Sequence, residues 1–308
     1  HHPLVGISLR GLSASLAFHR SSIGVRWHVP AGSGGAGNIT FLLLPWPLRI
    51  HGNDFESASY DRNGSDPNRF GYFTFEPSDV GRDAIDLDLL RQTLLSARRE
   101  CERIDCVVFP ECALRKEDLE HVERLLAENE ILCYIAGVRD RGSRGLGVNY
   151  VAWRSCLDTF SNARKNRNKK SDSLPSYRGV DQYKHHRWLL DAGQITQYQL
   201  GATLSLDRQW WEAIDLRPRE VNFLNIDEET TIVPLICEDL ARQDPTAELS
   251  RSVGPSLVVT LLMDGPQLAE RWSARYAGVL ADDPGSSVLT LTSLGMVERW
   301  RSPWRSST

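Results

Sequence analysis

Hydrophobic positions along this chain change period from one block to the next. Leu87, Leu90, Leu94, Ala97 and Cys101 recur at steps of three and four, the spacing of one face of a helix, with Asp83 ahead of them as a cap. Leu119, Val122 and Leu126 predict a second helix. Continuous apolar runs cover 39–44, 104–109, 131–138, 148–153, 221–226, 231–236, 257–262 and 286–291. Runs this short and this apolar predict strands buried on both faces. The runs 221–226 and 231–236 flank Asp227-Glu228-Glu229-Thr230, a hairpin signature. Asp264-Gly265-Pro266 predicts the start of a helix whose stripe is Leu268, Trp272, Tyr276 and Leu280. Residues 51–82 are polar and rich in Asn, Asp, Gly and Ser, which predicts a long loop or irregular insertion. Helices alternating with strands around a central hairpin give an α/β layered fold with a mixed sheet.

The first 38 residues stay unassigned. They end in a Gly/Ser/Ala linker at 31–37, which lacks the lysine of a phosphate-binding loop. A single domain is expected over 39–308. The chain starts His1-His2-Pro3 without a methionine, as a piece of a longer polypeptide would.

Composition narrows the class. Lys and Arg number 36 against 40 Asp and Glu, a net charge of −4, so nothing in the overall balance draws the chain to nucleic acid or an anionic membrane. The basic stretch at 161–173 has no aromatic residues interleaved for stacking on bases and reads as a solvated loop. The six cysteines form no CxxC pair and have no histidine at ligand spacing. That pattern implies reduced thiols in a cytoplasmic setting, with neither a disulfide framework nor a zinc site. No apolar stretch reaches membrane-spanning length, since the run at 41–44 is cut by Pro45.

Three segments bring a reactive group to the end of an apolar run or just after a polar loop. They are Phe109-Pro110-Glu111, Tyr183-Lys184-His185-His186 and Leu235-Ile236-Cys237-Glu238-Asp239-Leu240. Alone, each has an ordinary reading: a capping acid, a surface lysine and a small core residue. In this order and at these separations they resemble the nitrilase, or carbon–nitrogen hydrolase, superfamily. The Cys-Glu-Asp-Leu segment is similar to the glutamine-amidase domains within it.

The resemblance implies a four-layer α-β-β-α sandwich of two mixed sheets, dimerisation or fusion to another domain, and no metal or organic cofactor. It also implies hydrolysis of a non-peptide C–N bond of a small-molecule amide or nitrile through a thioester on Cys237. Glu111 would act as base, and Lys184 with the Glu238 backbone N–H would stabilise the oxyanion. Many members carry a second glutamate after the lysine, following a glycine. Here Gly193 is followed by Gln194, which can position substrate or water by hydrogen bonding but cannot act as a base. Asp191 is a candidate substitute. Two alternatives stay open: a binding-only accessory domain, which the 51–82 insertion, Gln194 and the start of the chain would fit, and acyl transfer, in which an amine intercepts the same thioester. The segments around 42–47 and 262–266 resemble nitrilase-type domains fused to bacterial antiviral reverse transcriptases, which would place the accessory domain in a defence protein. Trp300 and Trp304 are expected to meet a partner, and Tyr198, Trp210 and Trp211 are candidate pocket walls.

Overall fold

Apolar runs rich in Val, Ile and Leu form the strands that carry the candidate residues, and the helices cover them. The computed structural model describes residues 23–28, 38–58, 70–77, 85–101, 103–142, 145–156, 176–226 and 230–300. The strands are β1 Gly24–His28, β2 Phe41–Leu43, β3 Phe55–Ser57, β4 Phe70–Phe75, β5 Cys106–Arg115, β6 Cys133–Arg141 and β7 Gly147–Ser155. They continue with β8 Arg178–Tyr183, β9 Leu189–Leu190, β10 Gln209–Glu212, β11 Glu220–Asn225, β12 Thr231–Ile236, β13 Leu257–Leu262 and β14 Ser287–Thr292. The α-helices are α1 Leu87–Glu100, α2 Leu119–Glu128, α3 Ala192–Gln197, α4 Glu248–Val253, α5 Trp272–Asp282 and α6 Leu294–Arg299.

Among the described residues these strands make three mixed sheets, where two were expected. One has the order β2-β5-β6-β7-β8, a second β1-β11-β12-β13-β14, and the third β3-β4-β10-β9. The two five-stranded sheets share an apolar cluster: Val108, Ile135 and Val151 of the first lie with Ile236, Val259 and Leu261 of the second. On the other face of the first sheet, Leu94 of α1 and Leu126 of α2 pack with Val107 and Tyr134. On the other face of the second, Leu280 of α5 packs with Phe223 and Val258. Full burial of a leucine contributes roughly 1.5–3 kcal/mol, so these stripes hold the helices in place more than helix propensity does.

Several expectations need correction. The polar stretch 51–82 supplies β3 and β4, with Phe55 and Phe73 buried against Trp188. Phe70, Tyr72, Phe73 and Phe75 crowd one end of the stretch, an aromatic strand signal masked by the polar residues that dominate the rest of it. Asp86, rather than Asp83, caps α1, accepting from Leu89 N–H at 2.9 Å; Asp83 lies outside the described residues. Helix α5 starts at Trp272 instead of near Pro266, because Asp264 is bound by Tyr198 and Arg271. Gly24–His28, from the unassigned first segment, pairs in parallel with β11. The β11–β12 hairpin is present as an antiparallel pair. The linker 31–37, the basic stretch 161–173 and Trp304 lie outside the described residues. Among those described, no helix is long and apolar enough to cross a membrane.

Candidate active site

Glu111 is delivered by an interruption in β5. Pro110 lacks an N–H and cannot donate to the ladder. The β5–β6 register follows Cys106↔Cys133 up to Phe109↔Ala136, then shifts and resumes at Leu114↔Val138. Within the bulge Cys112 has a φ of 54°, in the left-handed region. Gly137 of β6 lies directly against it: a Cβ there would overlap Pro110 O and Glu111 Cα and come within 2.8 Å of Cys112 N. Only a glycine admits this approach, and the Glu111 side chain ends up buried.

Lys184 follows β8, its backbone N–H donating to Asn149 O of β7 at 3.0 Å. Its ammonium, 1% exposed, donates to Glu111 Oε1 at 2.8 Å and to Glu212 Oε2 at 2.6 Å. Asn149 Nδ2 bridges the same two carboxylates, at 2.8 Å to Glu111 Oε1 and 3.0 Å to Glu212 Oε1. The Trp188 N–H adds a 3.0 Å bond to Glu212 Oε2. Burial works against the Lys184 charge, but Glu111, Glu212 and the nearby Cys237 outweigh it and hold the ammonium well above the ordinary lysine range. Burial pushes the Glu111 carboxyl up; Lys184 pulls it back, Glu212 pushes up again, and it ends above the usual glutamate value. Glu111 Oε2 has no hydrogen-bond partner among the described residues.

Cys237 follows the last residue of β12 with a φ of 43°, a conformation that costs a non-glycine residue of the order of 1 kcal/mol or more. A short 3-10 turn over Cys237–Ala241 follows. The parallel register Ile236↔Leu261 puts Cys237 at the carboxyl ends of adjacent parallel strands, where α/β sheets place their ligands. The sulfur takes a backbone hydrogen bond from Met263. Burial, then Glu111, pushes the thiol well above its ordinary value, while Lys184 draws it down. The glutamate and lysine singled out in the sequence are thus close enough to the sulfur for their charges to act on it.

Asp239, fully buried, ties the two motifs together. It accepts from His185 N–H at 3.1 Å and pairs with His186 Nδ1 at 2.8 Å, so the turn after Cys237 is fastened to the residues after Lys184. The Glu238 side chain instead pairs with Arg242 at 3.2 Å.

Gln194 is occupied elsewhere. Its Oε1 accepts from Asp191 N–H at 3.2 Å and its own N–H donates to Asp191 Oδ1 at 2.8 Å, a reciprocal cap on α3. The carboxylate beside Lys184 is Glu212, at the end of β10, and sequence reasoning passed over it. The signal was there: Trp210-Trp211-Glu212 is an apolar run ending in an acid, the same signature as Phe109-Pro110-Glu111. Trp210 and Tyr198 are buried in the cluster around the third sheet. Trp300 packs over Arg271 within the chain. Among the described residues, no group of three or more His, Cys, Asp or Glu side chains could hold a metal ion.

No protein-family model matches the chain, and no curated protein matches it. Solved structures of nitrilase-superfamily proteins and amidases are similar to it. Nit3 of Saccharomyces cerevisiae, a member of branch 10 of the nitrilase superfamily, is 12% identical with a TM-score of 0.41, over 67% of this chain and 69% of that one. An amidase from Nesterenkonia sp. is 10% identical with a TM-score of 0.39, over 67% of this chain and 69% of that one. The glutamine-dependent NAD+ synthetase of Acinetobacter baumannii is 12% identical with a TM-score of 0.37, over 62% of this chain and 31% of that one. Likeness at this level carries no functional argument, which rests on the geometry of the site.

Proposed function

We propose that this chain hydrolyses a non-peptide carbon–nitrogen bond, that of a small-molecule amide, with Cys237 as nucleophile, Glu111 as base and Lys184 as the fixed cation. One observation carries the reading: a fully buried ammonium bridging two carboxylates, with a left-handed cysteine at a strand end within reach of their fields. Isolated buried charges are costly, and ion pairs this deep recur where chemistry needs them.

The unpartnered Glu111 Oε2 takes the Cys237 proton as sulfur attacks the carbonyl carbon. The thiol sits above its ordinary value, so it is deprotonated in the course of attack instead of being stored as thiolate. The carbonyl π pair moves onto oxygen, held by Lys184 Nζ and the Glu238 N–H. Collapse expels the amine, which takes the proton from Glu111, and leaves a thioester. Water then gives a proton to Glu111 and its oxygen to the acyl carbon, and the sulfur leaves with that proton. Glu212 keeps Lys184 charged and aimed, so the departure at Gln194 does not leave the ammonium with a single carboxylate.

The shared apolar cluster between the five-stranded sheets, with helices on their outer faces, supports a four-layer α-β-β-α arrangement for this body. The test is ammonia release across a panel of small primary amides, with intact-mass detection of an acyl adduct. Cys237→Ala should abolish both; ammonia release that survives this substitution would sink the reading.

A further inference from the structure

Buried polar atoms in folded proteins almost always find a partner, so a concentration of unpartnered ones asks for a cause. Two such atoms, Glu111 Oε2 and Asn149 Oδ1, belong to the catalytic cluster. Four more lie together along one short segment and the tryptophan packed on it: Asp264 Oδ2, Gln267 Oε1, Arg271 Nε and Trp300 Nε1. This segment leaves β13 immediately beyond Met263, whose backbone meets the Cys237 sulfur. The in-register pairing of β12 with β13 independently sets Asp264 just beyond the level of Cys237.

The charge pair there is half closed. Arg271 Nη2 donates to Asp264 Oδ1, and Tyr198 Oη donates to the same oxygen. Arg271 Nη2 also lies 3.1 Å from Tyr198 Oη. A guanidinium and a carboxylate ordinarily close as a fork of two parallel bonds. Here neither atom of the second pair, Nε–H and Oδ2, has a hydrogen-bond partner among the described residues, although the Asp264 side chain is only 5% exposed. The Arg271 guanidinium lies over the Trp300 ring at 5.3 Å, and Trp300 itself packs against Gly265, where a Cβ would come within 2.6 Å of it. Tyr198 packs edge-on to Trp188 at 5.8 Å, and Trp188 N–H holds Glu212. The half-closed pair is therefore braced by Trp300 on one side and linked through Tyr198 and Trp188 to Glu212 on the other.

The geometry points to a specificity site: the open edge of the Asp264–Arg271 pair reads a second polar group on the substrate, one that accepts from Arg271 Nε–H and donates to Asp264 Oδ2. A hydroxyl or a second carboxamide does both; an alkyl group, an ether or a tertiary amine does not. The substrate class is then a primary amide whose tail carries such a donor–acceptor group. This rests on Cys237 being the nucleophile.

Two thiol-directed chloroacetamides of matched length, one ending in a carboxamide and one in an isosteric branched alkyl group, test it without turnover. Sulfur displaces chloride from each, and intact mass with peptide mapping reads labelling at Cys237. In the unmodified chain the carboxamide probe should label Cys237 about tenfold faster, the discrimination expected from hydrogen bonds to charged groups. The ratio should fall to within about twofold in Arg271→Met and Arg271→Lys, with thermal melts identifying folded variants. Tyr198→Phe, which keeps the ring packing, should lower the ratio through a loosened Asp264. Equal rates in the unmodified chain, or a ratio that survives loss of the guanidinium, would overturn the specificity site alone. Absence of Cys237 labelling by either probe would overturn the nucleophile assignment and this inference with it.

Discussion

Lys184 and Glu212 meet at 2.6 Å, 28 residues apart in the chain and on different sheets' ends. The contact gives the buried ammonium a second counter-charge besides Glu111 and separates the roles of the two acids. Glu111→Gln removes the base and should lower kcat by about 10²–10⁴-fold. Glu212→Gln leaves the base in place but loosens the cation, so ammonia release should fall less and the loss should be only partial. Gln194→Ala removes one of the two bonds of the reciprocal cap on α3, at a cost of no more than about 1 kcal/mol in stability, and should leave kcat/KM within about twofold. Equal losses in all three variants would contradict this division.

Glu111 also acts on the sulfur. Its charge raises the Cys237 thiol, while Lys184 lowers it. In Glu111→Gln the lysine acts unopposed by that carboxylate, so iodoacetamide should alkylate Cys237 faster near pH 7.5 even as hydrolysis falls. Parallel mass-spectrometric and ammonia assays give both readouts, and a drop in both together would refute the coupling.

In the intact chain the alkylation profile should have an unusual shape. Because burial holds the Cys237 thiol well above its ordinary value, its rate should keep rising with pH past the ordinary thiol range, about 8.5, with no plateau near neutrality. Cys101, the exposed cysteine, serves as the internal control.

Removing the cation exposes a pH dependence of stability. In Lys184→Met two buried carboxylates face each other uncompensated, a loss of about 3–5 kcal/mol near neutral pH. Without Lys184, which pulls it down, the folded pKa of Glu111 rises further. A raised folded value means stability that is complete below the unfolded carboxylate value, about 4.3, and lost as pH rises through the folded one. The variant should thus lie closer to the unmodified chain at pH 5 than at pH 8 in urea melts. The Lys184 contribution in the unmodified chain has the same sign: present below about 10.4 and lost only as pH rises through its own raised value.

Gly137→Ala tests the bulge. The added methyl meets backbone, which cannot swing aside, so a cost of about 1–3 kcal/mol is expected together with reduced turnover from a displaced Glu111. Unchanged kcat in a folded Gly137→Ala protein would show that the bulge does not aim the carboxylate.

Sequence pattern located the elements that bury a continuous apolar run. The β13 span matches its run, and α1, α2, β11 and β12 lie where period and hairpin signals put them. Pattern failed at several short elements outside those runs. Strands β9 and β10 hold two and four residues, and α3, α4 and α6 six each. It also failed at α5, where a buried charge pair overrode a local helix-start signal at Asp264. Glu111, Lys184 and Cys237 could be picked out because each follows its own motif. Glu212 carries the same run-then-acid signature in Trp210-Trp211-Glu212, but its meeting with Lys184 is fixed by pairing between β10, β9 and β4, which no local spacing encodes.

That pairing loosens a constraint on descent. Since β10 is positioned by its neighbours across the sheet and not by its distance from Lys184, insertions or deletions in the intervening chain can accumulate while the acid stays at the ammonium. A search template that demands a fixed interval between lysine and second glutamate will pass over such chains and label them inactive; one that asks for an acid at the end of an aromatic strand will recover them.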